Sequence, residues 1–115
     1  GGLWLRPHDQ AEWVEVEAPA NTLVVNIGDL LELWSGGYFV STPHKVVNTS
    51  GKERYSFPFF IVPRHDVVVA PLIDCQPGFE RAPVPVGPVS REVWRTNWPK
   101  AAPEDTGFDL GTLPD

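Results

Sequence analysis

At 115 residues the chain is one domain by length, with no room for two independent cores. Hydrophobic residues at 42% and charged residues at 21% are ordinary for a globular protein, whereas 13 Pro and 10 Gly argue for turns and short strands and against long helices. A net charge of −6 disfavours binding to nucleic acid or to an anionic membrane through bulk charge, although it leaves room for a local basic cleft.

Cys75 is the one cysteine, so an internal disulfide framework is excluded. A lone thiol fits a reducing, cytoplasmic compartment, and its plain reading is a small buried or loop side chain. No apolar run approaches the length of a bilayer-spanning helix, and no basic-then-apolar leader opens the chain. The first residues are Gly1-Gly2-Leu3-Trp4 and Met is absent throughout, which fits a tag scar, a processed product or a fragment.

Residues 3–6 and 12–17 read as two strands joined by the turn Pro7-His8-Asp9-Gln10-Ala11. In the second strand Val14 and Val16 alternate with Trp13, Glu15 and Glu17, the period-two pattern of a half-buried strand. His8 and Asp9 are adjacent in that turn and read as a solvated hairpin tip, not a metal site. Residues 22–27 are β-branched and apolar, and read as a strand buried on both faces.

Residues 30–34 fit a short helical turn or a continuing strand. Ser35-Gly36-Gly37 reads as a tight turn. Pro43 argues for a strand start or a bulge just before His44. The turn-rich Asn48-Thr49-Ser50-Gly51-Lys52 then predicts that His44 and Arg54 sit on paired antiparallel strands. Residues 53–62 are the most strand-like stretch: Tyr55, Phe57, Phe59 and Ile61 share one face, and Arg54, Ser56, Pro58, Phe60 and Val62 the other.

Residues 67–69 suggest a last short strand. Residues 71–88 are Pro-rich and irregular. Ser90 is the expected N-cap of a short helix ending by Asn97, with Trp94 and Trp98 on one face packed back on the sheet. The tail from Lys100 to Asp115 reads as extended, held by Phe108 and Leu110 if at all.

Arg54 and Ser56 stand at i and i+2, so both point to one side of their strand. A guanidinium is a planar fork that matches a carboxylate through two parallel hydrogen bonds, and a neighbouring hydroxyl adds a third. A charged Arg on an otherwise aromatic strand needs an anion. Two readings stand equal at this point: a bound anion, or an internal acid such as Asp29, Glu32 or Glu53. His44 is the one His on an expected strand, where a hydrogen-bonded structural role is the commoner one.

Residues 1–72 resemble the C-terminal half of the jelly-roll core of iron(II)- and 2-oxoglutarate-dependent oxygenases, in the isopenicillin N synthase-like branch. The resemblance is carried by GGL (Gly1-Gly2-Leu3), VVNIGDLLELWSGG (Val24 to Gly37), STPHKVVN (Ser41 to Asn48) and RYSFPFF (Arg54 to Phe60). It implies an all-β fold with a short C-terminal helix. The core would be a partial double-stranded β-helix (jelly roll) lacking its N-terminal strands and spanning residues 1–72. Residues 73–115 would be a Pro-rich extension with a helix near 90–98.

The resemblance further implies that His44 is a ligand of iron(II) in a 2-His-1-carboxylate triad. Arg54 would pair with the far carboxylate of 2-oxoglutarate, and Ser56 would hydrogen-bond it. The complete protein would oxidise a small-molecule substrate. Lys45 and Gly36 depart from the family's usual Arg and Asn and remove no ligand.

A larger departure is that no His-x-Asp occurs in the chain. His8-Asp9 and His65-Asp66 are adjacent pairs, whose side chains point to opposite faces of a strand. With two of three metal ligands absent, the chain reads as a truncated member or fragment of the family. The alternative is a non-catalytic domain that covers its open sheet edges as a homodimer or with a partner. A weaker third reading keeps Arg54 and Ser56 as an anion clamp without redox chemistry.

Overall fold

The computed structural model describes residues 1–97 and Pro99. Its five strands are β1 (Leu3–Leu5), β2 (Val14–Glu15), β3 (His44–Val46), β4 (Val68–Val69) and β5 (Val84–Pro85). Its two helices are α1 (Asp29–Trp34), between β2 and β3, and α2 (Val86–Asn97), which follows β5 directly. The strands form a three-stranded antiparallel sheet in the order β2-β1-β3 and a two-stranded antiparallel pair, β4-β5. The fold is mostly β, in part as the expected all-β class with a short C-terminal helix has it, and α1 is a further helix.

The hairpin expected at the start of the chain is present. Trp4 faces Glu15 and Leu5 faces Val14. The Gln10 amide donates to the Pro7 carbonyl at 3.1 Å to close the turn, and His8 and Asp9 are exposed on it. On the other side β1 takes β3 as its partner, with Leu3 opposite Val46, Trp4 opposite Lys45 and Leu5 opposite His44. Opposed residues in an antiparallel pair share a face. His44 therefore shares a face with Leu3, Leu5 and Val46. On the opposite face the Lys45 ammonium lies 4.2 Å from the centre of the Trp13 ring and Arg6 lies 5.5 Å from it, two cations on one indole.

Two expected strands do not form. Residues 22–27 and 53–62 have no regular structure. Leu23 and Val25 are 92% and 87% exposed, against the expectation of burial, and Phe57 and Phe59 are 93% and 89% exposed. The reason is the backbone. A strand is made by a neighbour that takes up its N–H and C=O groups, whatever its side-chain pattern. No strand among the described residues pairs with either segment. His44 and Arg54 are accordingly not on paired strands: β3 pairs with β1, and the Asn48–Lys52 turn leads out of the sheet. That turn is closed locally, with Asn48 Nδ2 donating to the Lys52 carbonyl at 2.7 Å.

The buried core lies elsewhere. Leu33, Val69 and Val86 are its centre, with Leu30, Trp34, Val67, Phe79 and Val84 packed against it. Residues 30–34 are helical because Leu30, Leu33 and Trp34 stand at i, i+3 and i+4, which puts all three on one helix face. Burying a Leu such as Leu33 contributes about 1.5–3 kcal/mol. The helix stops in a Schellman arrangement: Gly36 donates to the Leu33 carbonyl at 3.0 Å and Gly37 to the Glu32 carbonyl at 2.9 Å. Gly36 and Gly37 have φ of 59° and 83°, the left-handed region that glycine enters without steric cost.

Residues 72–81 run along this helix end. Leu72 donates to the Trp34 carbonyl at 2.9 Å and Gln76 to the Gly36 carbonyl at 2.8 Å. The Phe79 ring lies directly over Gly37, and exposed Cys75 passes over Gly36. The segment expected to be irregular thus contains β5. Helix α2 begins at Val86, ahead of the expected cap at Ser90. The Val86 and Gly87 amides donate to the carbonyls of Val67 and His65, both at 3.0 Å, which satisfies donors that a helix start leaves open. Pro88 is tolerated because it lies in the first turn, where its missing N–H has no intrahelical partner. Trp94 is 47% exposed; its expected partner Trp98 and the tail residues Phe108 and Leu110 lie outside the described residues.

Two outcomes are expected. Alanine at Gly37 would place its Cβ 2.5 Å from Phe79 Cδ2, whereas at Gly51, also at positive φ, nothing lies within 4 Å. Denaturant unfolding should show Gly51→Ala losing about 1–2 kcal/mol to backbone strain and Gly37→Ala losing about 1–3 kcal/mol more from overpacking; equal losses would contradict the packing of Phe79 on this turn. Secondly, Arg64 Nε donates to Asp66 Oδ1 at 3.0 Å. That hydrogen bond, more than the charge alone, holds the Asp66 carboxyl below its ordinary range. The pair is fully exposed, so any stabilisation it gives is small, present above the usual Asp pKa and lost as pH falls through the lowered one. NMR titration should find the Asp66 midpoint lowered in the native chain and restored to the ordinary range in Arg64→Ala.

Candidate functional site

His44 opens β3 and is exposed. Its Nδ1 lies 3.2 Å from the Thr42 carbonyl oxygen. A carbonyl only accepts, so this hydrogen bond requires the proton on Nδ1. In the neutral ring that leaves the Nε2 lone pair open, the arrangement a metal-binding imidazole needs.

Arg54 follows the Asn48–Lys52 turn and returns to the start of β1, where its Nε donates to the Gly1 carbonyl at 2.9 Å. Gly2 makes this approach possible. A Cβ there would lie 3.2 Å from Arg54 Nε and 2.6 Å from the Val47 carbonyl oxygen. None of the three acids weighed as an internal partner is used. Glu32 pairs with Arg81 at 2.8 Å, Glu53 accepts from the Tyr55 hydroxyl at 3.1 Å, and Arg54 has no ion pair with Asp29. Both terminal nitrogens of Arg54 are without a partner among the described residues, so its fork is open to a carboxylate. Ser56 is exposed two residues further on.

These groups are not gathered into one site. His44 opens into a broad cleft of about 890 Å³, whose wall also carries Arg6, His8, Asp29, Glu32 and Arg81. Arg54 lines a separate cleft of about 320 Å³ with Gly1, Gly2, Glu15 and Val47, and Ser56 lines neither. Along β1, His44 is opposite Leu5 and Arg54 is at Gly1, four residues or about 13 Å apart. The segment bearing Arg54 and Ser56 would come alongside β3 only as a paired strand, which it does not form here.

No cluster of three or more His, Cys, Asp or Glu able to hold a metal occurs among the described residues. Asp66 is engaged by Arg64, and His65 is tied through its backbone to Gly87. One imidazole is not an iron site, and among the described residues no group of such side chains completes one. Sequence reasoning missed the Glu32–Arg81 pair and the place of His8 on the same cleft as His44. The pair joins residues far apart in the chain and has no local pattern, and His8 sits in a turn that reads as plain solvent-facing loop. Gly2 was visible only as part of a motif, not for the close approach it allows.

Comparison with known proteins gives the family. The sequence model of the 2OG-Fe(II) oxygenase superfamily matches residues 1–63. A feruloyl CoA ortho-hydroxylase of Ipomoea batatas is 37% identical over 82 residues, 71% of this chain and 23% of that protein. Jasmonate-induced oxygenase 4 of Arabidopsis thaliana is 44% identical over 71 residues, 62% of this chain and 20% of that protein. A 1-aminocyclopropane-1-carboxylate oxidase of Dictyostelium discoideum is 39% identical over 64 residues, 55% of this chain and 17% of that protein. The chain thus spans about a fifth of the length of these relatives. No solved structure matches it. With a family match across more than half its length, the chain belongs to the 2OG-Fe(II) oxygenase superfamily.

Proposed function

We propose that this chain is the C-terminal part of the jelly-roll core of an iron(II)- and 2-oxoglutarate-dependent oxygenase that, in complete form, oxidises a small molecule. The observation that carries the reading is Arg54: an Arg on an apolar segment whose guanidinium fork is left open, next to a glycine pair that admits it. In the complete protein His44 supplies one iron ligand through Nε2, and Arg54 and Ser56 hold the far carboxylate of 2-oxoglutarate. The remaining ligands come from residues that this chain does not contain. Bound iron and 2-oxoglutarate would supply the oxidising power; this chain's residues position the metal on one side and the oxo acid on the other.

The unpaired backbone of residues 53–62 supports the same reading, because a further strand of the complete protein would pair with it. That pairing would cover Phe57, Phe59 and Ile61, now 93%, 89% and 89% exposed, and carry Arg54 and Ser56 alongside β3. The test is a chimera in which this chain replaces the matching C-terminal segment of the Arabidopsis relative. Succinate release from 2-oxoglutarate is expected from the chimera and not from the 115-residue chain alone. His44→Ala should abolish it, and Arg54→Ala should raise the KM for 2-oxoglutarate roughly 10- to 100-fold, as for loss of a charged hydrogen bond. Undiminished turnover in the His44→Ala chimera would refute the assignment.

The exposed aromatic stretch also favours a second reading, a non-catalytic domain that buries this stretch by self-association. Light scattering on the chain should then show a homodimer that Phe59→Asp dissociates. A monomer at every concentration would leave only the first reading.

A further inference from the structure

We infer that Arg81 is a specificity-determining residue of the His44 cleft, placed to grip a carboxylate on an aromatic or similarly apolar substrate. The inference rests on the reading of His44 as a metal ligand in the complete protein.

Arg81 lies beyond the family match, which ends at residue 63, yet it stands on the wall of the same cleft as His44. It is carried there by the ties of residues 72–81 to α1: the two backbone hydrogen bonds to Trp34 and Gly36, and the Phe79 ring over Gly37. Two contacts then orient it. Its Nη1 meets Glu32 Oε2 at 2.8 Å, and its guanidinium lies 5.3 Å from the centre of the Phe79 ring.

The Glu32 side chain is 10% exposed and that of Arg81 49%, so the pair has a buried acid and a half-open base. Nε and Nη2 of Arg81 have no partner among the described residues. A guanidinium only donates, so what it takes next is an acceptor, and a carboxylate makes the strongest such contact. Ile27, Val40 and Pro43 line the same cleft and give an apolar wall for the body of a ligand. Glu32 holds Arg81 in place before a ligand arrives, which lowers the ordering cost of binding.

The experiment is a titration of the 115-residue chain with sodium benzoate, followed by NMR at the Arg81 Nε–H and at the backbone amides of Gly28 and Thr42 in the cleft. Saturable shifts are expected in the parent chain and in Arg64→Ala, which lines neither cleft. Arg81→Ala leaves the Glu32 carboxylate unpaired, so the double variant E32Q/R81A is the cleaner probe; its benzoate affinity should fall roughly 10-fold or more. Arg81→Lys, which keeps the charge and loses the fork, should fall between. Absence of saturable shifts, or equal affinity in the parent and the double variant, would overturn the inference. The chimera separates this from the oxygenase reading. Turnover with benzoate indifferent to Arg81 sinks only the inference, and benzoate dependent on Arg81 without turnover sinks only the oxygenase reading.

Discussion

The glycine turn at the end of α1 is the constraint on which most of the packed structure depends. Gly36 and Gly37 end the helix by returning their amides to the Leu33 and Glu32 carbonyls, and both need positive φ to do so. Having no side chains, they also let residues 72–81 lie directly on the helix end, with Cys75 over one and Phe79 over the other. That contact brings β5 to β4, so that Val69 and Val86 close on Leu33. It also carries Arg81 to Glu32. Core and cleft wall are therefore consequences of one turn.

The rest of the chain is governed by the opposite situation, apolar sequence without a partner. Residues 53–62 have the alternation of a strand and remain open, as do residues 22–27. Side-chain pattern states which face would be buried. It does not supply the neighbour whose carbonyls and amides complete the ladder. The consequence for the site is direct: the segment bearing Arg54 and Ser56 stays at the Gly1 end of β1 while His44 sits opposite Leu5. Each keeps its own chemistry, an open imidazole nitrogen in one case and an open guanidinium fork in the other.

The first hairpin was legible because its signals are local: Val14 and Val16 alternate with Trp13, Glu15 and Glu17 after the turn Pro7-His8-Asp9-Gln10-Ala11. The turn at Gly36-Gly37 was legible for the same reason. Residues 30–34 were not, since five residues fit either period, and only the burial of Leu30, Leu33 and Trp34 on one side selects a helix. Strand β5 was hidden in a Pro-rich run because two residues, one of them Pro85, carry almost no pattern of their own. The start of α2 was hidden likewise: its first amides are satisfied by the His65 and Val67 carbonyls, so no capping side chain marks it.

By itself the sequence determined the family, through motifs whose order and spacing do not depend on how the segments finally pack, and it singled out His44, Arg54 and Ser56 as the candidate site residues. It also determined the turns, because glycine, proline and asparagine act on their own backbone. Only the tertiary structure decided which apolar segments become strands, since pairing needs a second chain segment at hydrogen-bonding distance. The same is true of Arg54, which meets the Gly1 carbonyl and not Asp29, Glu32 or Glu53, and of Arg81, which meets Glu32 across 48 intervening residues of chain folded back on α1. Contacts between residues far apart in sequence are set by the packing of the elements that carry them, and no local pattern encodes them.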